Sequence, residues 1–482
     1  MRLGQTSIIL FTSKIVGSLL GFLATIYFAR VLGEVVLGQF ALILAIVTWL
    51  GIGGQVGFSG AITKRVSEGE EPERFVGAGL VVICSMLTII SVFVLIFRSQ
   101  INDYVGASVT IFVILILALK LFKSLVTSTL KGNHLVHIYA VLSSGKQLSH
   151  AVAQITLVAA GLGLAGMLYG YAIGYVVTAA IGLWFLGLRP RVPSKRHIVS
   201  LFDYAKFSWL GSMRGRTFDT VDIAVLGFFV TQGLIGIYSV AWSIGKFLDI
   251  FGSSIRTTLF PEMSKLSAQD DTSTVAGLTE DALSFAGLIL IPGLVGGVVI
   301  GDRLLVIYGE AFVAGTDVLA ILIVALLIYT YNKQLLNTLN AVDRPDLSFR
   351  SNAVFIVANV TLNAILIWQI GWIGAAIATA LSAAIGLAVT FYYAQRLLAF
   401  AIPFHEIIRQ WIAALLMGVT VYYTRQFSET NLAWVYDNNT IFVVSLVTLG
   451  GMIYFTTYFV ISRTFRKTVS RNLPFDMPLL ES

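Results

Sequence analysis

The sequence predicts an all-α integral membrane protein of about fourteen transmembrane helices: two related six-helix halves followed by two further helices. Three observations predict it. The composition is 57% hydrophobic and 12% charged with a mean hydropathy of +0.86, far from a soluble average. Apolar runs near the twenty or so residues that span the hydrocarbon recur along the whole chain. Short glycine-containing sequences in the first half also return in the second at nearly constant spacing. The 482 residues leave no stretch long enough for a separate soluble domain of ordinary size.

The first half supplies spans Gln5 to Leu32, Gln39 to Ile62, Phe75 to Phe97, Val105 to Val126, Ile138 to Gly161 and Leu164 to Leu188. The second supplies Tyr204 to Val230, Gly233 to Leu259, Val275 to Ile300, Asp317 to Asn340, Leu347 to Ile370 and Trp372 to Leu398. Ile407 to Tyr423 and Asn439 to Ser462 complete the set. The seventh is weakly hydrophobic and the link at Gly371 is very short, so twelve or thirteen spans are alternatives. The chain divides into a first lobe (1–190), a linker (191–203), a second lobe (204–400), two added helices (401–462) and a basic tail (463–482).

Short cytoplasmic loops collect Lys and Arg during insertion. With both termini cytoplasmic, only Arg30, Arg98, Arg303 and Arg425 of the 32 basic residues fall outside, whereas Lys64, Arg65, Lys131, Lys333 and the tail fall inside. Lys120, Lys123 and Lys146 count as inner although they lie somewhat within helices. The net charge of +7 is therefore accounted for by topology and membrane lipid headgroups, with no nucleic-acid partner. The first apolar run exceeds a signal-peptide core and is expected to remain as the first span. Cys84, the single cysteine, is expected to be a small core residue.

The repeat pairs Gly38-Gln39-Phe40 with Gly236-Ile237-Tyr238 at an offset of 198. It also pairs Gly163-Leu164-Ala165-Gly166-Met167 with Gly371-Trp372-Ile373-Gly374-Ala375 at 208. Six spans per half follow, in parallel orientation.

Against this apolar background stand Lys14, Arg214, Arg216, Asp219, Asp222, Lys246 and Asp249, all inside predicted spans. A charge at the centre of a lone membrane helix costs roughly 2.5 to 3.5 kcal/mol, and such residues usually face a bundle interior or a water-filled cavity. They predict a polar internal pathway. Arg216 and Asp219, like Lys246 and Asp249, are three apart, so pairing along one helix is the structural alternative. Asp219 and Asp222 either bind a coupling proton or Na+ or partner the nearby arginines.

Ala29-Arg30-Val31-Leu32-Gly33 before Gly38-Gln39-Phe40, the run Asn359-Val360-Thr361-Leu362-Asn363, and Gly371-Trp372-Ile373-Gly374-Ala375-Ala376-Ile377-Ala378 carry a family resemblance. Together with the six-plus-six-plus-two layout, they resemble the polysaccharide-transport flippases of the multidrug/oligosaccharidyl-lipid/polysaccharide exporter superfamily. The resemblance covers essentially the whole chain, departs from the family's pattern at Trp368 and Gln369, and rests on helix-packing signatures. It implies two lobes around a central cavity that opens alternately to each side of the cell membrane. It implies a lipid-linked oligosaccharide as cargo, carried on a polyprenyl phosphate or diphosphate, and glycan-assembly enzymes as partners.

A phosphorylated headgroup calls for cations, since Arg offers bidentate charge-assisted bonds and Lys a mobile point charge. Lys14 and Arg214 each lie roughly 13 to 15 Å deep from the cytoplasmic side, by the helical rise. At the 198-residue offset Lys14 corresponds to Ser212, within a turn of Arg214 and Arg216. These three with Lys246 are the candidate phosphate ligands.

Lys146, His150 and Gln154 recur every four residues and share one helix face. They are candidate glycan contacts, with polar contact between packed helices as the alternative. Gly51, Gly53, Gly54, Gly57 and Gly60 lack the lysine and hydroxyl residue of a phosphate-binding loop and read as close packing or flexing. Gly287, Pro292, Gly293, Gly296 and Gly297 make the ninth span a hinge or a static kink. No metal site, cofactor, ATP-binding motif or enzyme signature is read. The longest outer loop, Gly301 to Thr316, has sixteen residues, short for a membrane glycosyltransferase or glycan polymerase. An ion-coupled multidrug antiporter is the nearer rival, disfavoured because mid-span cations outnumber acids.

Overall fold

The computed structural model describes residues 3–55, 57–187 and 189–472; side chains at 3–16, 18, 53–55, 206–216, 471 and 472 lie outside that description. All regular structure among the described residues is helical, and the chain divides into two compact units.

Unit 1 comprises Met1–Val240 and Asn363–Ala375. It holds α1 (Leu3–Gln55), α2 (Phe58–Ser67), α3 (Pro72–Ile96), α4 (Arg98–Val105), α5 (Thr110–Gly132), α6 (Val136–Ala159), α7 (Gly163–Leu186), α8 (Lys195–Leu226) and the start of α9 (Gln232–Leu248). The 53 residues of α1 are more than twice what one crossing needs, and Gly33 breaks the helical dihedrals (φ 77°, ψ 178°) where the sequence places the first loop. The glycine run at 51–60 ends that helix, and α2 starts after Gly57 in a left-handed conformation (φ 66°). The second predicted span is thus interrupted.

The core of this unit joins α2, α3, α5 and α8 through Phe58, Ile62, Phe75, Leu117, Leu121, Leu125 and Leu201. α8 begins inside the predicted linker. Ser194 caps it, bonding His197 Nδ1 at 2.7 Å, while His197 Nε2 lies 3.0 Å from Glu71 and Arg191 Nε 2.5 Å from Glu73. The segment ahead of α8 is therefore fastened to the start of α3. Cys84 is exposed on α3, a correction to its expected place in the core.

Unit 2 comprises Ala241–Leu362 and Ala376–Ser482. It continues α9 into α10 (Ile250–Ser267), α11 (Thr272–Ala286), α12 (Leu290–Val306), α13 (Thr316–Ala341), α14 (Pro345–Ile370), α15 (Trp372–Leu397), α16 (Phe404–Asn431), α17 (Trp434–Asp437), α18 (Asn439–Ile461) and α19 (Arg463–Asn472). Val275, Leu283, Leu335, Leu339, Leu347 and Ala394 form one of its cores. The ninth span is two helices meeting between Ala286 and Leu290, with Pro292 in the first turn of the second, where its missing N–H costs no helical bond.

Large apolar side chains such as Ile111, Trp184, Trp368 and Tyr423 point outward, as a hydrocarbon solvent requires. Among the described residues ten helices are long and apolar enough to cross a membrane, eleven counting α9 and α10, bent by 44°, as one span. That is fewer than fourteen. The shortfall falls at α1, counted once, and at α6 and α8, whose polar residues lower their hydropathy.

The repeat appears as matching backbone geometry. A Cβ on Gly38 would collide with the Gln232 carbonyl and stand 3.0 Å from Gly236 N; one on Gly236 would collide with the Glu34 carbonyl and stand 3.0 Å from Gly38 N. Glu34 and Gln232 are themselves 198 apart, so α1 and the first turns of α9 cross reciprocally. At the other offset, Gly163 (φ 52°) and Gly371 (φ 65°) both turn one helix into the next with positive φ that side chains disfavour.

Candidate functional site

In unit 2, Asp249 sits where α9 passes into α10 and is buried, 6% exposed. Two side chains of α13 reach it: Thr330 donates its hydroxyl to Oδ1, and Lys333 donates Nζ to Oδ2 at 2.5 Å. α13 comes this close because residue 252 is glycine, whose Cβ would collide with Thr330 Cγ2, and Gln334 Nε2 bonds the Gly252 carbonyl at 2.9 Å. Lys246 lies over the Trp242 ring at 5.7 Å and Lys333 over Tyr329 at 5.1 Å. The charges of Lys246 and Arg256 also act on Lys333. Cations outnumber carboxylates here, and buried pairing with Asp249 meets part of the cost of holding them.

The sequence reading counted Lys333 among the inner-side charges and did not include it in the candidate site. It belongs to the buried part of α13, its side chain 16% exposed. Thr330, Lys333 and Asn337 form a polar stripe at helical spacing that would have revealed it.

In unit 1, Asp222 is 4% exposed and accepts from Tyr238 Oη at 2.5 Å and Asn363 Nδ2 at 2.9 Å. Asp219, one turn earlier, is exposed. Sequence spacing linked neither Tyr238 nor Asn363 to Asp222, because these contacts bridge 16 and 141 residues. The side chains of Lys14, Arg214 and Arg216 lie outside the described residues.

The stripe on α6 packs against α7. Gln154 Nε2 donates to the Met167 carbonyl at 2.9 Å, and the His150 ring lies 4.3 Å from Tyr171 and 5.2 Å from Tyr175, centroid to centroid. Gly170 and Gly174 make the groove they fill: a Cβ on either would collide with Gln154 or the His150 ring. Lys146, partly exposed, sits 5.9 Å from the Tyr175 ring centroid.

Charged side chains held inside helical membrane units are what membrane transporters place along their pathways. The model of a protein family described as "Polysaccharide biosynthesis protein" matches residues 3–267, and the chain belongs to that family. It is 28% identical over 474 residues to the probable low-salt glycan biosynthesis flippase Agl15 of Haloferax volcanii, covering 98% of this chain and 99% of that one. The probable flippase AglR of the same organism is 29% identical over 482 residues, with 98% of each chain covered. Among solved structures, lipid II flippase MurJ in an inward closed conformation superposes with a TM-score of 0.80 at 16% identity, covering 96% of this chain and 100% of that one. An inward-facing multidrug resistance MATE family transporter of the MOP superfamily gives 0.62 at 14% identity, with 79% and 94% covered. These relatives are named as flippases or transporters, none as an enzyme, and the fold is that of the superfamily which the sequence resembles.

Proposed function

We propose that this protein is a flippase that carries a lipid-linked oligosaccharide, on a polyprenyl phosphate or diphosphate, from the cytoplasmic to the outer leaflet of the cell membrane by alternating access. Both termini are cytoplasmic in this reading, and the flipped lipid feeds cell-surface polysaccharide or glycoprotein assembly. The observation that carries it is the end-to-end similarity to two relatives named as flippases, one in glycan biosynthesis. The intramembrane cations supply the chemistry. A glycan headgroup with its phosphate must leave water while the polyprenyl tail stays in lipid, and Lys14, Arg214, Arg216 and Lys246 would hold the phosphate oxygens.

No ATP-binding motif is present, so the cycle draws on an ion gradient, the membrane potential or removal of the flipped product. Asp222 is the coupling candidate: it is a buried carboxylate that already accepts two neutral donors. Asp249 is the charge partner of Lys333 inside unit 2.

The test is reconstitution of the purified protein into liposomes with the lipid-linked oligosaccharide on one leaflet, reading its arrival on the other. Translocation by wild type and its loss in Arg214→Ala/Arg216→Ala at equal protein level is expected. No transport under imposed proton or Na+ gradients would sink the reading and turn attention to drug-cation antiport. Equal transport by both proteins would sink the proposed arginines alone.

A further inference from the structure

Away from the intramembrane charges, the surface of unit 1 carries a cavity of about 470 Å³ lined by Arg65 of α2 and by Lys195, Arg196, Val199, Ser200 and Asp203 of α8. Its two walls are held side by side. Lys64 Nζ lies 5.0 Å from the centroid of the Tyr204 ring, and the Phe58 and Phe202 rings meet edge to face at 4.9 Å. The first turn of α8 is fixed as well, because the His197 ring packs on Phe75 at 4.8 Å while its nitrogens engage Ser194 and Glu71. Just ahead, Arg191 N donates to the Glu73 carbonyl at 3.0 Å, and Gly77 admits the Arg191 carbonyl where a Cβ would collide.

The acids of the neighbouring α2–α3 loop are spent on this framework. Glu68 takes Arg65 Nη1 at 2.9 Å, Glu71 takes Arg74 Nη1 at 2.9 Å as well as His197, and Glu73 takes Arg191. None of the three pairs with Lys195 or Arg196, which are exposed and make no hydrogen bond or ion pair among the described residues. Asp203 is the carboxylate in the lining, against three cations. Val192, Val199 and Phe202 expose apolar side chains beside those cations, just before α8 enters its apolar run at Tyr204. Cations that adjoin exposed apolar groups at the end of a membrane helix match a lipid, whose phosphate and hydrocarbon arrive together. A free phosphate would use the charges and leave the apolar groups idle.

We propose that this cavity binds the headgroup of an anionic membrane phospholipid. Lys195 and Arg196 meet the phosphate oxygens, Arg65 adds its charge from the opposite wall, and the lipid chains lie along Val199 and Phe202. The bound lipid would ballast the fastened start of α8 against the membrane surface, a role separate from carrying cargo.

The experiment titrates phosphatidylglycerol into the full-length protein in neutral detergent and counts retained lipid by native mass spectrometry. Phosphatidylcholine, inorganic phosphate and a short-chain isoprenyl diphosphate are the comparison probes. Wild type should retain phosphatidylglycerol over phosphatidylcholine. Arg196→Gln should lose about fivefold in affinity and Lys195→Gln/Arg196→Gln about twenty-five-fold, the worth of one and two cations at an anionic surface. Arg98→Gln, at an exposed cation on α4, should match wild type. Asp203→Asn should gain about fivefold, an effect that misfolding cannot produce. Equal retention of the two lipids by wild type overturns the site, as does a double variant that melts and binds like wild type, or an Asp203→Asn protein that binds more weakly. Displacement of phosphatidylglycerol by inorganic phosphate overturns the lipid as occupant, and displacement by the isoprenyl diphosphate hands the cavity to the cargo. Binding is read apart from transport, so a protein that retains phosphatidylglycerol but flips nothing sinks only the flippase reading.

Discussion

Lys333 Nζ lies 2.5 Å from Asp249 Oδ2, joining the C-terminal part of α13 to the junction of α9 and α10 across 84 residues of sequence. Removing one member of a buried pair strands the other charge and costs about 3 to 5 kcal/mol, whereas replacing both with apolar groups is often neutral. Asp249→Asn and Lys333→Met should therefore each lower the melting temperature sharply, and the double variant should recover most of it. Translocation decides the role. If the double variant is stable but inactive, the charges serve transport; if it is stable and active, they serve only the fold.

Asp222 and Asp219 separate in the same way. Asp222→Asn keeps a side chain that Tyr238 can donate to but removes the charge, and should abolish the response of liposome transport to an imposed proton or Na+ gradient. Asp219→Asn, at an exposed position, should leave that response unchanged. A gradient response that survives Asp222→Asn would end the coupling assignment.

Glycine is required on both sides of the α1–α9 crossing. Gly38→Leu and Gly236→Leu should each destabilise the protein by about 1 to 3 kcal/mol, the usual cost of forcing bulk into a packed contact, and by similar amounts because the contact is reciprocal. Gly21→Ala, with nothing within 4 Å of its added carbon, is the control and should be neutral or slightly stabilising. Thermal melts in detergent read all three.

Gln154→Ala and His150→Ala test the α6 stripe. Gln154 already spends its amide on Met167, and both side chains fill glycine grooves on α7, so each change should lower stability by about 1 to 3 kcal/mol. Affinity for the glycan headgroup, measured on the folded fraction, should hold. A tenfold weaker affinity at unchanged stability would return these residues to the glycan.

What was legible in the sequence was whatever one helix can announce by itself. Asp222, Lys246 and Asp249 stood out because each interrupts an apolar run, and the superfamily's fold followed from length, hydropathy and the glycine repeats. Their partners were illegible for a physical reason: Thr330, Lys333, Tyr238 and Asn363 touch them across tertiary distances that no periodicity encodes. Lys333 had a local signal, the stripe it shares with Thr330 and Asn337, masked by its place near the end of a predicted span. Hydropathy also undercounts where a helix carries work, as with α6 and its Lys146-His150-Gln154 face. Cys84 was misplaced because a uniformly apolar helix does not announce which of its faces is buried.

The reciprocal crossing of Gly38 and Gly236 is what two identical subunits would make around a twofold axis, with each residue meeting the other's copy. In such a dimer every substitution at the contact would be inflicted twice. Within a single polypeptide the two positions mutate separately, so one side can be softened or stiffened while the other stays as it is. Reciprocal geometry and independent tuning thus meet at one pair of hydrogen atoms: the missing side chains hold the symmetric contact together, and the covalent link between them frees it from symmetry.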